Sequence, residues 1–458
     1  MDYLDFLRAK ILVDTPSGFD VRTQQINSAL FDFQRDIVKW ALKRGRSAVF
    51  AECGLGKSLI QLEWAKHIHE YTGKNILILA PLAVSKQTVR EGSKLNLKVT
   101  LCGSDNDIQE GINITNYEKL HKFNSDKFTG IVCDESSIMK SFSGKIRNEL
   151  ISRFRNIPYK LCCTATPSPN DYAELGNHAE FLGIMSRTEM LSMFFVHDGG
   201  DTSKWRLKGH AESEFWKWLC SWSVYIRKPS DLGYEDEKFL LPELKIHKNI
   251  LTSTTKPKHG FFLPLATTLT ERREARKDSL GVRVERIKEL IAQKPNDTWL
   301  IWCNLNIEGN TLEKCIPDSV QIQGSDTNEF KEQNILNFSD GKIKTLITKP
   351  KIAGFGINWQ ACHNIIFAGI SDSWESYYQA VRRCWRFGQE KTVNVYIVLS
   401  DREILVLDNI QRKGKDVEKM ALNMVEHMKE ISTQQVRQLK KEQLEYQPKI
   451  EMELPKWL

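Results

Sequence analysis

The sequence predicts an α/β fold with two consecutive domains, each built on a parallel sheet covered by helices. At 458 residues the chain has room for two or three domains of roughly 150 residues each. Short segments that are apolar almost throughout alternate with helical patterns in both halves of the chain. Strands without an alternation of apolar and polar residues are typical of parallel sheets buried on both faces. A content of 41% hydrophobic and 27% charged residues fits an ordinary globular chain.

The strands of the two domains are predicted from these apolar segments. In the first half they lie at residues 47–51, 76–80, 112–115, 131–133 and 161–164. In the second half they lie at residues 298–303, 320–322, 345–348, 364–368 and 393–398. Most of them end in Gly, Pro, Asn, Asp or Thr and precede a helical pattern, which is the order of elements in a βαβ unit.

The segment between the two groups of strands breaks this alternation. Residues 184–250 are rich in Trp, Gly and charged residues, and we predict that they form an insertion or linker. The first domain is therefore predicted at residues 1–183, the second at 251–412, and a helical tail at 413–458. The tail carries apolar residues at helical spacing, namely Val417, Met420, Ala421, Met424, Met428 and Ile431. This stripe favours a helix that braces the second domain, with a partner-binding helix as the alternative.

The composition also restricts the setting in which the protein works. The 65 Lys and Arg residues exceed the 58 Asp and Glu residues, for a net charge of +7, which permits a polyanionic partner without requiring one. No apolar run reaches the ~18 residues of a membrane span, and the N-terminus lacks an apolar leader. The ten cysteines include no CxxC pair, which argues against a disulfide scaffold and a zinc ribbon. We expect a reduced, cytoplasmic protein with no membrane partner.

A glycine-rich segment between a predicted strand and a predicted helix carries the strongest signal. It reads AECGLGKS, a P-loop pattern GxxxxGK[ST] with Ala in its first position. In a P-loop the backbone N–H groups and the helix N-terminus bind nucleotide phosphates, the lysine reaches the β- and γ-phosphates, and the hydroxyl ligates magnesium. Lys57 is therefore predicted to be catalytic and Ser58 to hold Mg²⁺. The predicted nucleotide-binding residues of the loop are Gly54, Leu55, Gly56, Lys57 and Ser58.

An acidic pair follows the predicted strand 131–133. Asp134 and Glu135 stand in the segment IVCDESS, where a P-loop enzyme needs groups that hold the metal and orient water. Asp134 is predicted to bind the nucleotide and Mg²⁺, the ion through water, and Glu135 is predicted to be the general base. An Asp-Glu pair alone is weak evidence, and its position after the P-loop and the intervening strands gives it weight.

Two arginines in the second domain lie three residues apart, on one face of a predicted helix. A nucleotide held by the first domain alone lacks a positive group on the outer side of its γ-phosphate. Arg383 and Arg386 can enter from the second domain and stabilise the charge of the transition state as arginine fingers. Pairing of both arginines with surface acids is the alternative.

From residue 28 to residue 400 the chain resembles the superfamily 2 helicase-like ATPases, and among them the Swi/Snf-type translocases on double-stranded DNA. Besides the P-loop and the acidic pair, the matching segments are LFDFQRDIVKW at 30–40, LAPLAVSKQ at 79–87, ITNYEKL at 114–120, TATPSPN at 164–170, LIWCN at 300–304, IAGFGINWQACHNIIFAG at 352–369 and QAVRRCWRFGQEKTVNVY at 379–396. The last segment contains QAxxRxxRxGQ, which is close to diagnostic for the Swi/Snf branch. The resemblance implies two tandem RecA-like lobes, an ATP site in the cleft between them, and a C-terminal helical tail.

The resemblance also implies roles for individual residues. Gln34 would read the adenine edge, and Gln379 would join the nucleotide site from the second lobe. Thr164 and Thr166 would couple hydrolysis to movement. The implied contacts with a nucleic-acid backbone are Pro81, Thr115, Asn116 and Gly356. ATP and Mg²⁺ are the implied cofactors and duplex DNA is the implied partner, whereas protein partners stay open.

One motif departs from the family, and one segment competes with it for nucleic-acid binding. Glu135 is followed by Ser136 and Ser137 where the branch usually carries Asp-Glu-x-His, so coupling must run differently or through Ser137. In the insertion, Phe215, Trp216, Leu219 and Trp222 fall at helical spacing, which favours core packing over base stacking. The basic residues around these aromatics are candidate DNA contacts.

We expect an ATP-driven translocase on duplex DNA, with remodelling or branch migration as its output. A strand-separating DNA or RNA helicase is the first alternative, and its separating pin would lie within residues 184–250. An ATP-dependent subunit that recruits a nuclease or methyltransferase is the second, and it is disfavoured because every part needed for hydrolysis is present. The sequence contains no chromatin-binding modules, which argues against nucleosome remodelling. The resemblance implies a compact motor in the cytoplasm of a bacterium or of a phage-infected host.

Overall fold

The computed structural model of the protein describes residues 16–140, 144–198, 201–252, 266, 268–353 and 358–437. Its two parallel sheets form two α/β lobes, and a long helix follows the second of them. This architecture confirms the predicted fold class. Every strand predicted from the sequence is present.

The strands of the first lobe are β1 (Arg46–Ala51), β2 (Asn75–Ala80), β3 (Val99–Leu101), β4 (Ile112–Asn116), β5 (Phe128–Asp134), β6 (Tyr159–Thr164), β7 (Phe195–Asp198), β8 (Asp201–Leu207) and β9 (Ser223–Ile226). Seven of them form a sheet in the order β3-β4-β2-β5-β6-β1-β9. All neighbours in this sheet are parallel. The carboxyl ends of its strands therefore meet at one edge, where open α/β sheets bind their ligands.

The helices of the first lobe are α1 (Asp32–Arg44), α2 (Lys57–Thr72), α3 (Leu82–Lys94), α4 (Lys145–Arg153), α5 (Leu175–Leu182), α6 (Arg187–Phe194) and α7 (Glu212–Trp222). Helix α2 buries Ile60, Trp64 and Ile68, one turn apart, against the sheet. It ends at Gly73, whose φ of 65° gives the left-handed turn that commonly stops a helix. Ile76 and Leu77 of β2 enter two different apolar cores, as expected for a strand buried on both faces.

The strands of the second lobe are β10 (Leu244–Leu251), β11 (Trp299–Trp302), β12 (Ser319–Gln321), β13 (Thr345–Thr348), β14 (Asn364–Phe367) and β15 (Val393–Ser400). They form a parallel sheet in the order β10-β15-β14-β11-β13-β12. The helices of this lobe are α8 (Leu269–Asp278), α9 (Leu280–Ala292), α10 (Asn306–Cys315), α11 (Asn328–Ser339), α12 (Pro350–Ala353) and α13 (Trp374–Val381). Helix α13 carries Glu375, Tyr378 and Gln379, which contact residues of the first lobe.

The segment 184–250 is shared between the two lobes. Strand β9 pairs with β1 as the edge strand of the first sheet, and β10 pairs with β15 in the second sheet. Phe215, Trp216 and Trp222 of α7 are buried in the first lobe, in agreement with their helical spacing. Because β9 has four residues, its short apolar pattern cannot be told from a turn of helix.

Strands β7 and β8 form an antiparallel hairpin that joins no other strand of the described ranges. Its base is fixed by Phe195, which is buried in the first lobe. Val196, His197 and Arg206 are exposed, and the ring of His197 lies against that of Trp205 with a centroid distance of 3.8 Å. The hairpin lies within residues 184–250, the segment in which the helicase alternative predicts a strand-separating pin.

Helix α14 (Ile404–Val436) connects the two lobes. Its first turns bury Val406 and Ile410 in the second lobe, and its later turns bury Met424 and Met428 in the first lobe, against α7. The stripe is therefore a packing surface, but the expectation that it braces the second lobe is wrong. With 33 residues the helix is about 50 Å long, so it reaches the other lobe, and an apolar stripe does not specify the surface that it meets.

Within the described ranges, no helix combines the length and the apolar character that a membrane span needs. All ten cysteines lie in these ranges, and each is a free thiol. The described part of the chain contains no cluster of three or more His, Cys, Asp or Glu side chains arranged to hold a metal ion.

Candidate active site between the lobes

The P-loop joins the carboxyl end of β1 to the first turn of α2. Gly54 and Gly56 adopt left-handed conformations, with φ of 93° and 79°, which residues with side chains rarely adopt. Successive N–H groups in such a turn, at a helix N-terminus, form a site for phosphate. Lys57 and Ser58 are the first two residues of α2. Lys57 Nζ donates to the carbonyl oxygen of Ala51 at 2.8 Å, so the lysine side chain folds back over the P-loop.

Gln34 ties this loop to α1. Its Nε2 donates to the carbonyl oxygen of Leu55 at 2.9 Å, and its Oε1 accepts from the N–H of Phe31 at 2.9 Å. A Cβ at Gly56 would collide with the same amide, so the contact requires glycine at that position. The structure thus brings Gln34 to the P-loop, and its role toward adenine stays a prediction.

Asp134 ends β5 at the same edge of the sheet. Its buried Oδ1 accepts from Gln61 Nε2 at 2.7 Å and from the N–H of Glu135 at 3.1 Å. Burial raises the pKa of this carboxyl, while the hydrogen bond from Gln61 and the charge of Lys57 act against that shift. Gln61 was not predicted. The sequence signal that could have identified Gln61 is a polar residue on the buried side of α2, one turn after Ser58.

Glu135 has the surroundings of a general base. Its φ of 55° is uncommon for a residue with a side chain and is typical of strain held at functional sites. Burial raises its pKa to about 7, against the opposing charge of Lys57. Its Oε1 accepts from Nε2 of Gln379, in the second lobe, at 2.9 Å. A carboxylate with a pKa near neutrality is well suited to take a proton from water.

Gln379, on α13, links Glu135 to the predicted arginine fingers. Its backbone oxygen and its Oε1 accept from Arg383 at 2.8 and 2.7 Å. Arg386 is half-buried, and the loss of water around it, with the charge of Arg383, lowers its pKa to about 10. It therefore stays charged at neutral pH. The electrostatic influence of Cys53 in the P-loop opposes this shift.

A second contact across the cleft was not predicted. Arg382 Nη2 donates to the carbonyl oxygen of Cys53 at 2.8 Å and lies 3.6 Å from Glu52 Oε1. The hydroxyl of Tyr378 donates to the same carboxylate. Tyr378 and Arg382 are four residues apart, a spacing that places them on one side of a helix. The spacing could not reveal that this side faces the P-loop.

A third contact joins the second lobe to the predicted coupling residues. The buried carboxylate of Glu375 accepts from the hydroxyl of Thr166 at 3.4 Å and pairs with Lys140. The hydroxyl of Thr164 accepts from the N–H of Thr166 at 3.1 Å. Both threonines therefore lie at the junction of the lobes. Glu375 and Lys140 were not predicted, although Glu375 is one helical turn before Gln379 on α13.

A histidine reaches the acidic segment from another element. His178, on α5, is fully buried, and its Nε2 lies 3.1 Å from the hydroxyl of Ser136. Burial lowers its pKa to about 4, so the imidazole is neutral. The segment itself lacks the histidine of the Swi/Snf branch, and the structure places His178 against it. The sequence offered no signal for this pairing, because 42 residues separate the two.

The residues predicted to contact DNA fall in different surroundings. Pro81 lines a cavity of about 470 Å³ between the lobes. Thr115 is 1% exposed and Asn116 is 6% exposed, and the Asn116 side chain accepts from the N–H of Lys119 at 3.1 Å. Gly356 lies outside the described residues. The charged residues that line the cavity are Glu118, Glu135, Lys140, Lys331, Glu332, Lys351 and Glu375. Contact of these predicted residues with DNA stays a prediction.

The fold and the site define a two-lobed P-loop ATPase of the helicase type. Residues 33–194 match the family described as SNF2-related domain, and residues 282–388 match the helicase conserved C-terminal domain. The two segments lie one in each lobe and together cover more than half of the 458 residues. The chain belongs to the Swi/Snf-type proteins of helicase superfamily 2. The predicted family is confirmed, and with it ATP hydrolysis as the chemistry.

Among solved structures, the SWI2/SNF2 ATPase core of Sulfolobus solfataricus in complex with double-stranded DNA is similar to this chain. The sequence identity is 18% and the TM-score is 0.43, and the match covers 92% of this chain and 99% of that chain. No curated protein matches the chain.

Proposed function

We propose that the protein is an ATP-driven motor that translocates on double-stranded DNA. The observation that carries this proposal is the hydrogen bond between Gln379 and Glu135. It joins the arginine-bearing segment of the second lobe to the general base of the first. A site assembled from two lobes is complete only when the lobes are closed, so hydrolysis is linked to their relative movement. The family assignment supports the same function.

Lobe one would hold the nucleotide and its metal. Ser58 and Asp134 supply hard oxygen donors, the kind that Mg²⁺ prefers. The buried Asp134 carboxyl has a raised pKa, and a cation beside it would favour its charged form. The ion, when bound, would neutralise charge on the phosphates. Lys57 would contact the β- and γ-phosphates, and Glu135 would take the proton of the attacking water.

Lobe two would complete the site. Arg383 and Arg386 would meet the charge that develops on the γ-phosphate, while Gln379 holds Glu135 in place. Thr164 and Thr166 would couple ATP hydrolysis to movement of the lobes on DNA. Thr166 is placed for this role because it contacts Glu375 of lobe two. Closing and opening of the cleft in each ATPase cycle would then advance the lobes along the DNA.

The cavity between the lobes is lined by lysines from both lobes and by the carboxylates of Glu118, Glu135, Glu332 and Glu375. Lys140 of lobe one and Lys331 and Lys351 of lobe two line it. Lysines that line such a cleft favour a phosphate backbone, without selecting a base sequence. We propose duplex DNA as the track, with Pro81, Thr115, Asn116 and Gly356 as backbone contacts.

Strand separation is the second candidate function. The observation that favours it is the β7–β8 hairpin, which carries the exposed His197 with its ring 3.8 Å from that of Trp205. An aromatic pair on a projecting hairpin can stack on a base at the point where two strands part. A hairpin deletion would abolish separation and leave translocation intact if this candidate is correct.

Stimulation of the ATPase by different nucleic acids tests the proposal. Turnover is measured with duplex DNA, single-stranded DNA and RNA of equal length, with Lys57→Ala as the inactive control. We expect the largest stimulation with duplex DNA. Equal or greater stimulation by single-stranded DNA or RNA would favour the helicase candidate instead.

The cellular setting and the limits of the segments also belong to the proposal. The scattered free cysteines support a reducing compartment, for which we propose the cytoplasm of a bacterium or of a phage-infected host. We propose lobe one at residues 1–183 with β9 completing its sheet, lobe two at residues 251–412 with β10 completing its sheet, and the helical tail at residues 413–458.

A further inference from the structure

We propose that Arg382 is a positioning residue for ATP hydrolysis, through which lobe two orients the peptide bond between Cys53 and Gly54 of the P-loop. The inference rests on the proposed ATP site but not on the choice of DNA as partner. Arg382 differs in this role from Arg383 and Arg386, which would act on the phosphate itself.

The guanidinium of Arg382 is held from several sides. Arg382 is 4% exposed, and its Nη2 donates to the carbonyl oxygen of Cys53 at 2.8 Å. Glu52 lies 3.6 Å away and supplies the opposite charge. The rings of Trp385 and Tyr378 lie 5.0 and 5.8 Å from the guanidinium carbon, within the range of cation–π contacts.

Glu52 fixes the same corner of the P-loop from lobe one. Its Oε1 accepts from the N–H of Cys53 at 3.0 Å and from the hydroxyl of Tyr378. The N–H and the carbonyl of Cys53 are therefore both bound, one by Glu52 and one by Arg382. A backbone segment with both groups held by charged partners has one orientation.

This orientation matters because a trans peptide bond is planar. The carbonyl of Cys53 and the N–H of Gly54 belong to one peptide plane and point in opposite directions. By holding the carbonyl, Arg382 directs the N–H of Gly54 to the side of the loop that faces away from its guanidinium. Backbone N–H groups bind the phosphates in a P-loop.

The backbone of lobe two also packs closely against this peptide. A Cβ at Gly54 would lie 2.8 Å from the backbone nitrogen of Phe387, so a side chain there would push the lobes apart. Arg382 and Phe387 thus contact neighbouring residues of the loop from the same segment. Because both contacts exist only in the closed cleft, they act on turnover and not on the first binding of ATP.

The test compares steady-state ATPase kinetics of Arg382→Met, Arg382→Lys and the wild type, with and without duplex DNA. Arg412→Met is the matched control, since Arg412 is exposed and pairs only locally with Asp416 at 3.2 Å. We expect Arg382→Met to lower kcat by about tenfold or more while KM for ATP changes by a few-fold at most. Lysine keeps a positive donor without the planar fork, so Arg382→Lys recovers part of the loss.

A second variant separates positioning from a fold defect. Glu52→Gln removes the charge that holds Arg382, and the double variant with Arg382→Met is expected to lose no more kcat than Arg382→Met alone. Additive losses, an unchanged kcat in Arg382→Met, or a Lys variant no better than Met would each overturn the inference. Absence of ATPase activity in the wild type would instead overturn the proposed function.

Discussion

Gln379 Nε2 of the second lobe lies 2.9 Å from Glu135 Oε1 of the first lobe. The same side chain accepts a hydrogen bond from Arg383 at 2.7 Å. Glu135, Gln379 and Arg383 therefore form one hydrogen-bonded chain across the cleft. Separation of the lobes must break this chain, which makes the chemistry depend on closure.

The lobe-one residues are expected to be essential for chemistry. Lys57→Ala removes the positive charge that we expect to contact the β- and γ-phosphates of ATP. Hydrolysis should therefore fall by about tenfold to a thousandfold. Glu135→Gln removes the base but keeps the shape of the side chain, so bound ATP should persist. Single-turnover assays with radiolabelled ATP measure both effects, and near-normal turnover in either variant would refute the site.

The lobe-two arginines are expected to act on the transition state. Arg383→Ala or Arg386→Ala should leave ATP affinity within a few-fold of the wild type and lower DNA-stimulated turnover by about 10³, the size typical of arginine fingers. Fluorescent-nucleotide binding and ATPase assays with duplex DNA measure the two quantities. If both variants hydrolyse ATP normally with DNA present, closure of the lobes is not required.

These predictions rest on residues that the sequence identified through spacing within one segment. The P-loop, the acidic pair and the pattern QAxxRxxRxGQ are local, so the edge of the sheet on which each lies could be predicted from strand and helix order. Glu52, Lys140 and His178 were missed because their partners are distant in the chain. Only tertiary packing brings these residues and their partners together. The spacing of residues in a single sequence does not reveal such contacts.

DNA binding is expected to depend steeply on salt and little on sequence. The proposed track is a phosphate backbone, and phosphate contacts release counterions from the duplex. Lys331 and Lys351 of the second lobe line the cavity between the lobes, beside four carboxylates. Affinity should fall by orders of magnitude between about 50 and 200 mM salt if several phosphates are contacted. Fluorescence anisotropy with duplexes of unrelated sequence measures this, and a flat salt response or strong preference for one sequence would contradict backbone tracking.

His178 is expected to make the stability of the first lobe sensitive to acid. Burial lowers its pKa to about 4, whereas in the unfolded chain the pKa is about 6.5. The unfolded state therefore binds more protons below pH 6.5, and this group's share of the stability is lost as the pH falls from 6.5 toward 4. The loss between pH 7 and pH 5 is about 2 kcal/mol.

His178→Gln keeps a polar partner for Ser136 and removes the titration. Melting temperatures of both proteins at pH 7 and pH 5 give the comparison. The wild type is expected to lose more stability than the variant over this interval. An equal loss in the two proteins would show that His178 is not held neutral.

The fold was more predictable than the way its two halves meet. Continuous apolar strands such as β2 and β11 revealed both parallel sheets, because burial on both faces leaves a run of hydrophobic residues. The short strand β9 and the lobe contacted by α14 were not predictable. A four-residue strand has no distinctive period, and the apolar stripe of α14 fits any apolar surface within reach.

Displacement of the third strand of a DNA triplex is a direct assay for ATP-driven translocation on duplex DNA, because it reports movement along an intact duplex. Thr164→Ala with Thr166→Ala removes the hydroxyl that contacts Glu375 and should preserve DNA-stimulated hydrolysis while slowing displacement. Lys57→Ala should displace nothing. We expect the wild type to release the third strand only with hydrolysable ATP. A wild type that hydrolyses ATP on duplex DNA yet leaves the triplex intact would contradict it.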